Sequence, residues 1–189
     1  MKSTLTKEQY KRIYDLLNSC ELLDYDCGKL CNAACCTVSR EYSEDDMGIY
    51  LLPGEEQLLE EEDKEWLDIR VSQAEDHDLP ESWKGDVYFI RCKTPPICPR
   101  EKRPIQCRTF PLAPHIDSEG ELTLIYNDLE LPYECPLIEE EIPLNDDFVD
   151  KTLEAWEILI EDPLIYDLVK LDSEERESSF TELMDKLGI

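Results

Sequence analysis

Nine cysteines, eight of them in two dense groups, constrain this chain of 189 residues more than any other feature of its sequence. Free cysteine packs as a small hydrophobic residue, so cysteines that served only packing would be scattered along the chain. Here five lie between residues 20 and 36, three lie between residues 92 and 107, and one lies apart: Cys20, Cys27, Cys31, Cys35 and Cys36; Cys92, Cys98 and Cys107; and Cys135. The grouping indicates that the sulfurs act together.

The cysteines are expected to be reduced. An odd number of cysteines fits a fully paired disulfide framework poorly. The first residues, MKSTLTKEQYKRIYDLL, lack the apolar stretch of a secretion signal. No run in the sequence approaches the ~18 consecutive apolar residues of a membrane-spanning helix. We therefore expect a cytoplasmic protein that does not enter a membrane and whose thiols stay free.

The chain is strongly acidic, with 19 lysines and arginines against 46 aspartates and glutamates and a formal net charge of −27. Nucleic acids and anionic membrane surfaces are bound through clustered cations, so the composition argues against both as partners. Residues 91–108 are the exception, because this segment contains six basic residues and a single acidic one. A positive field of this kind lowers thiol pKa values and offsets the charge of several thiolates on one metal.

Periodicity and capping signals predict the regular elements. A capping box at Thr6 and Gln9 predicts a first helix ending near residues 18–20, and Pro53 with Gly54 opens an acidic helix over about 55–67. Strands are predicted at 86–91 and 121–126, the second preceded by a turn at Gly120. Residues 71–84 and the proline-rich segment 94–114 are predicted to be loops.

The C-terminal part is predicted to be helical. Asn145 begins a helix that Pro163 breaks, and Ser173 begins a final helix that ends at Gly188. Together the elements predict an α+β fold dominated by helices, as one domain over residues 1–189. That domain would combine a small, irregular, cysteine-rich metal-binding core at 20–138, which includes a short β element, with a C-terminal helical segment at 145–189.

The first cysteine group, C-GKL-C-NAA-CC, leaves its backbone conformation open. A continuous helix would put the first three of its cysteines on one face. Cys36 would then point about 180° away from Cys27, because nine residues at roughly 100° each make two and a half turns. Either this segment is a wrapping loop, which Gly28 and Asn32 would permit, or Cys36 serves a different centre from its neighbours.

With Cys20 set aside, the other eight cysteines divide into two sets of four. Four thiolates are the usual complement of a structural zinc ion or of an iron–sulfur cluster. Cys98 and Cys135 each precede a proline, which favours an extended backbone and presents the thiolates from loops. Wide, irregular spacing and a proline after the last cysteine ligand are familiar in iron–sulfur proteins. The pattern therefore favours an iron–sulfur cluster, [4Fe–4S] first, over zinc.

The same pattern resembles the YkgJ family of cysteine-cluster proteins, which are described as zinc- or iron-chelating and are related in their cysteines to flagellin lysine N-methylase. The family has a front C-x2-C-x2-CC block, a pair of cysteines, R-P-x-x-C-R-x-F, and a final cysteine. The resemblance covers about residues 27–135. Both gaps in the front block are three residues here instead of two, which leaves open whether Cys20 replaces Cys27. The third element matches position for position through Arg103, Pro104, Cys107, Arg108 and Phe110.

The resemblance implies one set of metal ligands for an iron–sulfur cluster or zinc: Cys27, Cys31, Cys35, Cys36, Cys92, Cys98, Cys107 and Cys135. Arg103 and Arg108 would lie beside these ligands and donate to cluster sulfurs or to a nearby carboxylate. For both arginines, a surface ion pair with the acidic body of the protein is the alternative.

Three functions are compatible with these observations. The first is a cytoplasmic metal-binding protein with a structural or redox-active thiolate centre on which a protein partner docks. The second is a cluster-dependent enzyme of protein or peptide modification, similar to flagellin lysine N-methylase, although shared cysteines do not carry a reaction. The third is an iron-delivery protein with a labile site. Six glycines, none in a G-x-G pattern, argue against a nucleotide-binding site.

Overall fold

The structure is a computed structural model that describes residues 1–37, 47–93, 99–127, 131 and 133–187, with side chains described through residue 178. Within these ranges the α-helices are α1 (Lys7–Asn18), α2 (Gly28–Cys31), α3 (Ile105–Thr109), α4 (Pro136–Glu139), α5 (Asp146–Leu159) and α6 (Pro163–Leu187). The strands are β1 (Ile49–Tyr50), β2 (Leu67–Gln73), β3 (Asp86–Cys92), β4 (Leu112–Ile116) and β5 (Leu122–Tyr126). The predicted α+β fold dominated by helices is confirmed.

The strands form two antiparallel sheets. In the first, β3 lies between β1 and β2, and in the second β4 pairs with β5. The strands predicted at 86–91 and 121–126 are confirmed as β3 and β5. Gly120 makes the predicted turn before β5 with a φ of 87°, a left-handed conformation that glycine adopts without steric cost.

The main hydrophobic core lies where α1, α5 and α6 meet the β4–β5 sheet. The predicted first helix is confirmed together with its capping box, because Thr6 N–H donates to Gln9 Oε1 at 2.9 Å and Gln9 N–H donates to Thr6 Oγ1 at 3.3 Å. On α1 and α5 the fully buried side chains of this core recur at helical spacing, as Tyr10 and Ile13 and as Ala155 and Leu159, and Ile165 of α6 is fully buried as well.

The predicted acidic helix over 55–67 is wrong. Two 3₁₀ turns, Glu55–Leu58 and Glu61–Glu65, stand there instead, and the backbone of Leu59 between them is extended. The carboxylates are also not a uniformly solvated face. Glu55 and Asp63 are 1% and 4% exposed and serve as hydrogen-bond acceptors for neighbouring backbone N–H groups, which breaks the helical repeat that the sequence suggested.

Two predicted loops contain regular structure. Residues 71–73 belong to β2, which pairs with β3 over seven residues from Leu67 opposite Cys92 to Gln73 opposite Asp86. The segment predicted as loop over 94–114 contains α3 and the start of β4, while residues 94–98 lie outside the described residues. β2 and α3 are short and depend on tertiary partners, so the local sequence patterns that would predict them are weak.

The C-terminal helices differ from the prediction at Pro163. Asn145 precedes α5 as predicted, but Pro163 begins α6 rather than only ending α5, and Ser173 lies inside α6. Proline suits a first helical position because its missing N–H would have no partner there. Asp162 accepts the N–H groups of Leu164 and Ile165 and so starts the helix. In the described ranges, no helix is both long enough and apolar enough to span a bilayer.

Candidate metal centre

The front cysteine block is a wrapping segment and not a continuous helix. The helix α2 ends at Cys31, and the next two residues, Asn32 and Ala33, both have a left-handed φ of 55°. Such a conformation reverses the helical path of the chain. Of the two alternatives that the sequence left open, the structure has the wrapping loop, and Asn32 provides it as expected.

The reversal brings the vicinal thiols into contact. Cys36 N–H donates to the carbonyl of Ala33 at 2.8 Å and so closes a tight turn after the left-handed pair. In this turn the Sγ atoms of Cys35 and Cys36 lie 3.7 Å apart. Cys35 is exposed to solvent, whereas Cys36 is partly buried.

Cys107 approaches this block from α3. The helix is anchored at its first residue, because Ile105 N–H donates to Glu55 Oε1 at 2.8 Å and the Ile105 side chain is fully buried. Cys107 itself is exposed, and its charge contributes to the raised pKa of Cys35. The two thiols, 72 positions apart in the sequence, are near enough in space for the charge of one to act on the other.

Cys135 closes the site from the other side. It is buried at the N-cap of α4, whose first residue is Pro136, and it packs with Leu23, Leu137 and Cys27 in one hydrophobic cluster. Burial raises the pKa of the Cys135 thiol, and the N–H groups of Leu137 and Ile138 oppose that rise. The extended backbone that the following proline predicts at Cys135 is confirmed, with φ −114° and ψ 112°.

Four of the cysteines line a narrow cleft of about 30 Å³. Its sulfur side is formed by Cys27, Cys31, Cys35 and Cys135, and its apolar side by Phe110, Tyr133 and Leu137 among others. The rings of Phe110 and Tyr133 meet edge to face with centroids 6.2 Å apart.

Tyr133 lies among thiols from three parts of the chain. Burial raises the pKa of its phenol, and the charges of Cys35, Cys135 and Cys107 raise it further. No motif in the sequence singles out this tyrosine, although it lies two residues before Cys135. The cleft brings Cys27, Cys31 and Cys35 of the front block together with Cys135, and Cys107 of α3 is near enough for its charge to act on Tyr133.

The positive residues act on Cys27 as predicted, but burial outweighs them. Burial raises the pKa of Cys27, Asp26 raises it further, and Arg100 and Arg103 lower it. Arg100 also forms an ion pair with Asp26, which holds part of the positive charge at the edge of the cleft. The pKa of Cys35 is raised as well, chiefly by its hydrogen bond with Cys36 and then by desolvation.

Arg103 and Arg108 occupy different surroundings. Arg103 lies near enough to Cys27 for its charge to act on that thiol. Arg108 donates to the carbonyls of Glu101 and Arg103 and to Asn18 Oδ1, and its guanidinium lies over the ring of Tyr14, 4.2 Å from the centroid. Through these contacts Arg108 connects α1 with residues 101–103, which precede α3. The sequence did not predict this role.

The remaining predicted ligands are less closely tied to the cleft. Cys92 ends β3 and packs against the cluster of Leu51, Leu67 and Ile90, and Cys98 lies outside the described residues. Cys20 follows α1, where its thiol donates to the carbonyl of Leu17 at 3.5 Å and lies near Lys151. Cys27, and not Cys20, is therefore the residue beside Cys31.

The side chains stand in an open arrangement. In the part of the chain that the structure describes, no three histidine, cysteine or carboxylate side chains are close enough together to hold a metal ion as they stand. The Sγ atoms of Cys35 and Cys36 are in contact, and Cys27, Cys31 and Cys135 line the same cleft as Cys35.

Comparisons with known proteins identify no relative: no protein-family model, no curated protein and no solved structure matches this chain. The likeness to the YkgJ family therefore remains a prediction from the cysteine pattern.

Proposed function

We propose that this protein binds iron, as an iron–sulfur cluster, or zinc through cysteine thiolates, as the resemblance to the YkgJ family implies. The observation that supports the proposal most is that thiols of the front block and of Cys135 line one cleft, with Cys107 near enough for its charge to act on Cys35. Gathering so many reactive side chains has no value for packing alone, and thiolates are the ligands that zinc and iron–sulfur clusters require.

The proposal rests on six described cysteines: Cys27, Cys31, Cys35, Cys36, Cys107 and Cys135. Cys92 and Cys98 complete the predicted set of ligands. The apolar side of the cleft would limit the access of water to the buried Cys135, whereas Cys35 and Cys107 are exposed. Arg100 and Arg103 would offset part of the negative charge that several thiolates place on one metal. A cytoplasmic location belongs to the same proposal, because a reducing compartment keeps thiols free.

The experiment is purification of the full chain without oxygen, followed by iron, zinc and acid-labile sulfide analysis and an absorption spectrum. We expect a stoichiometric metal content in the wild-type protein and a lower content in the Cys107→Ser variant. The matched control is Cys20→Ser, because Cys20 is a partly buried cysteine away from the cleft. Wild-type protein that lacks iron and zinc, and that takes up neither on reconstitution, would overturn the proposal.

No feature of the described cleft specifically favours a cluster-dependent enzyme of protein or peptide modification. A docking partner protein and delivery of iron both remain compatible with the proposal. The exposure of Cys35 and Cys107 favours delivery, because a chelator or an acceptor protein can reach thiols at the surface.

A further inference from the structure

The separation of the two vicinal sulfurs matches the geometry of a single tetrahedral ion. The Sγ atoms of Cys35 and Cys36 are 3.7 Å apart. A zinc–thiolate bond is about 2.3 Å long, so a tetrahedral angle separates two sulfurs on one zinc ion by about 3.8 Å. Tetrahedral iron–thiolate sites have similar dimensions. The pair therefore already spans one edge of a tetrahedral thiolate site.

The backbone holds the pair in this arrangement. A single carbonyl, that of Ala33, accepts hydrogen bonds from Cys36 N–H at 2.8 Å, from Thr37 N–H at 3.1 Å and from Thr37 Oγ1 at 3.2 Å. In a strand, successive side chains would point to opposite faces, and two neighbouring thiols could not meet at one ion.

Further thiols line the cleft on which Cys35 lies, namely Cys27, Cys31 and Cys135. They are the described candidates for the further ligands of an ion held by the pair. Cys27 and Cys135 pack in one hydrophobic cluster, which holds them independently of the turn.

We infer that Cys35 and Cys36 bind the same metal ion, so that the centre holding them carries two thiolates of this chain on one metal. The inference builds on the proposed function and specifies the kind of centre. An iron–sulfur cubane held by four cysteines has one cysteine on each of its four irons, whereas a [2Fe–2S] cluster has two on each iron. The centre at this pair is therefore mononuclear zinc or iron, or a [2Fe–2S] cluster, and not [4Fe–4S].

The test is an anaerobic titration of the reduced, metal-free full chain with cobalt(II), a spectroscopic substitute for zinc. The sulfur-to-cobalt charge-transfer band grows with the number of thiolates on the ion. We expect Cys35→Ser and Cys36→Ser each to lower this band by the same step, and the double variant to lower it by two steps. The Cys20→Ser control should leave it unchanged.

A second measurement uses only the wild-type protein. One equivalent of zinc is added, free thiols are alkylated, and the segment after Lys29 is examined by mass spectrometry. We expect Cys35 and Cys36 to be protected together, so that molecules alkylated at one of the two are rare, while Cys20 is alkylated throughout. This measurement does not depend on whether a variant folds.

The outcomes separate the two claims. A band that falls in one single variant only, frequent alkylation of one thiol of the pair, or reconstitution to a cubane that both thiols ligate would overturn the shared ion and leave metal binding intact. A wild-type chain that binds none of cobalt, zinc and iron would overturn the proposed function and the shared ion together.

Discussion

The phenol of Tyr14 donates a 2.7 Å hydrogen bond to Oε1 of Glu55, a carboxylate that is almost completely buried. The Glu55 side chain also accepts the N–H of Leu52 at 3.0 Å and the N–H of Ile105 at 2.8 Å. Ile105 begins α3, the helix that carries Cys107, so Glu55 ties that helix to α1. Glu55 lies 52 positions from Cys107 in the sequence, so this link between α3 and α1 could not be inferred from the cysteine pattern.

Replacing Glu55 with alanine is expected to lower the free energy of unfolding by about 3 kcal/mol, because three donors would lose their buried acceptor. The measurement is urea unfolding at pH 7 followed by circular dichroism. The exposed Glu154→Gln serves as control and should change stability by less than about 0.5 kcal/mol. A loss no larger than that of the control would show that the three hydrogen bonds contribute little.

Asp162→Asn is expected to destabilise the protein at pH 7 by about 2 kcal/mol. Burial works to raise the pKa of Asp162, but hydrogen bonds from Ser3, Thr4 and Ile165 outweigh it and hold the pKa below its usual value. A lowered pKa gives stability that is present above the unfolded value of about 3.9 and is lost as the pH falls through the folded value.

The difference between wild type and Asp162→Asn should therefore shrink when denaturation is measured at pH 3 instead of pH 7. Dilute protein is needed, because the sequence pI of about 4.2 favours precipitation at intermediate pH. A difference that stays constant between the two pH values would contradict the stabilising role of the ionised carboxylate.

Asp172→Asn is expected to have the opposite effect. Burial raises the pKa of Asp172 to about 6, and Arg176 opposes the rise only in part. The ionised carboxylate therefore costs stability above that pH, and the cost disappears as the pH falls towards 4. The variant should be more stable by about 1 kcal/mol at pH 8 and should lose this advantage at acidic pH, measured by thermal unfolding. Asp150→Asn, at an exposed site on α5, should show no such pH-dependent gain.

Ala33→Val is expected to destabilise the cysteine turn by about 2 kcal/mol, because a β-branched residue is poorly accommodated at a φ of 55°. Ala34→Val, one position along, tests the same change of side chain outside the left-handed pair. Ala33→Gly should stay within about 1 kcal/mol of wild type, since glycine adopts this backbone without strain. Equal effects of valine at both positions, measured by chemical unfolding, would place the cost in packing and not in the backbone.

The sequence predicted the elements whose signals are local. The first helix, β3, β5 and the start of α5 were found because capping residues, alternating β-branched and aromatic residues, and a glycine turn act over a few positions. The acidic segment was mispredicted for a tertiary reason: Glu55 turns inward to serve Ile105, which is distant in the sequence. Likewise β2 exists because β3 is present to pair with it along seven residues.

For the candidate metal centre, the residue types and their grouping were determined by the sequence alone, because metal chemistry selects thiolates whatever the fold. Only the tertiary structure decided which of them meet. The left-handed residues Asn32 and Ala33 turn Cys35 and Cys36 towards each other, the buried Glu55 holds the helix of Cys107, and Leu23 and Leu137 enclose Cys135. Those contacts join segments far apart along the chain, and free energy from such contacts depends on packing that no local pattern encodes.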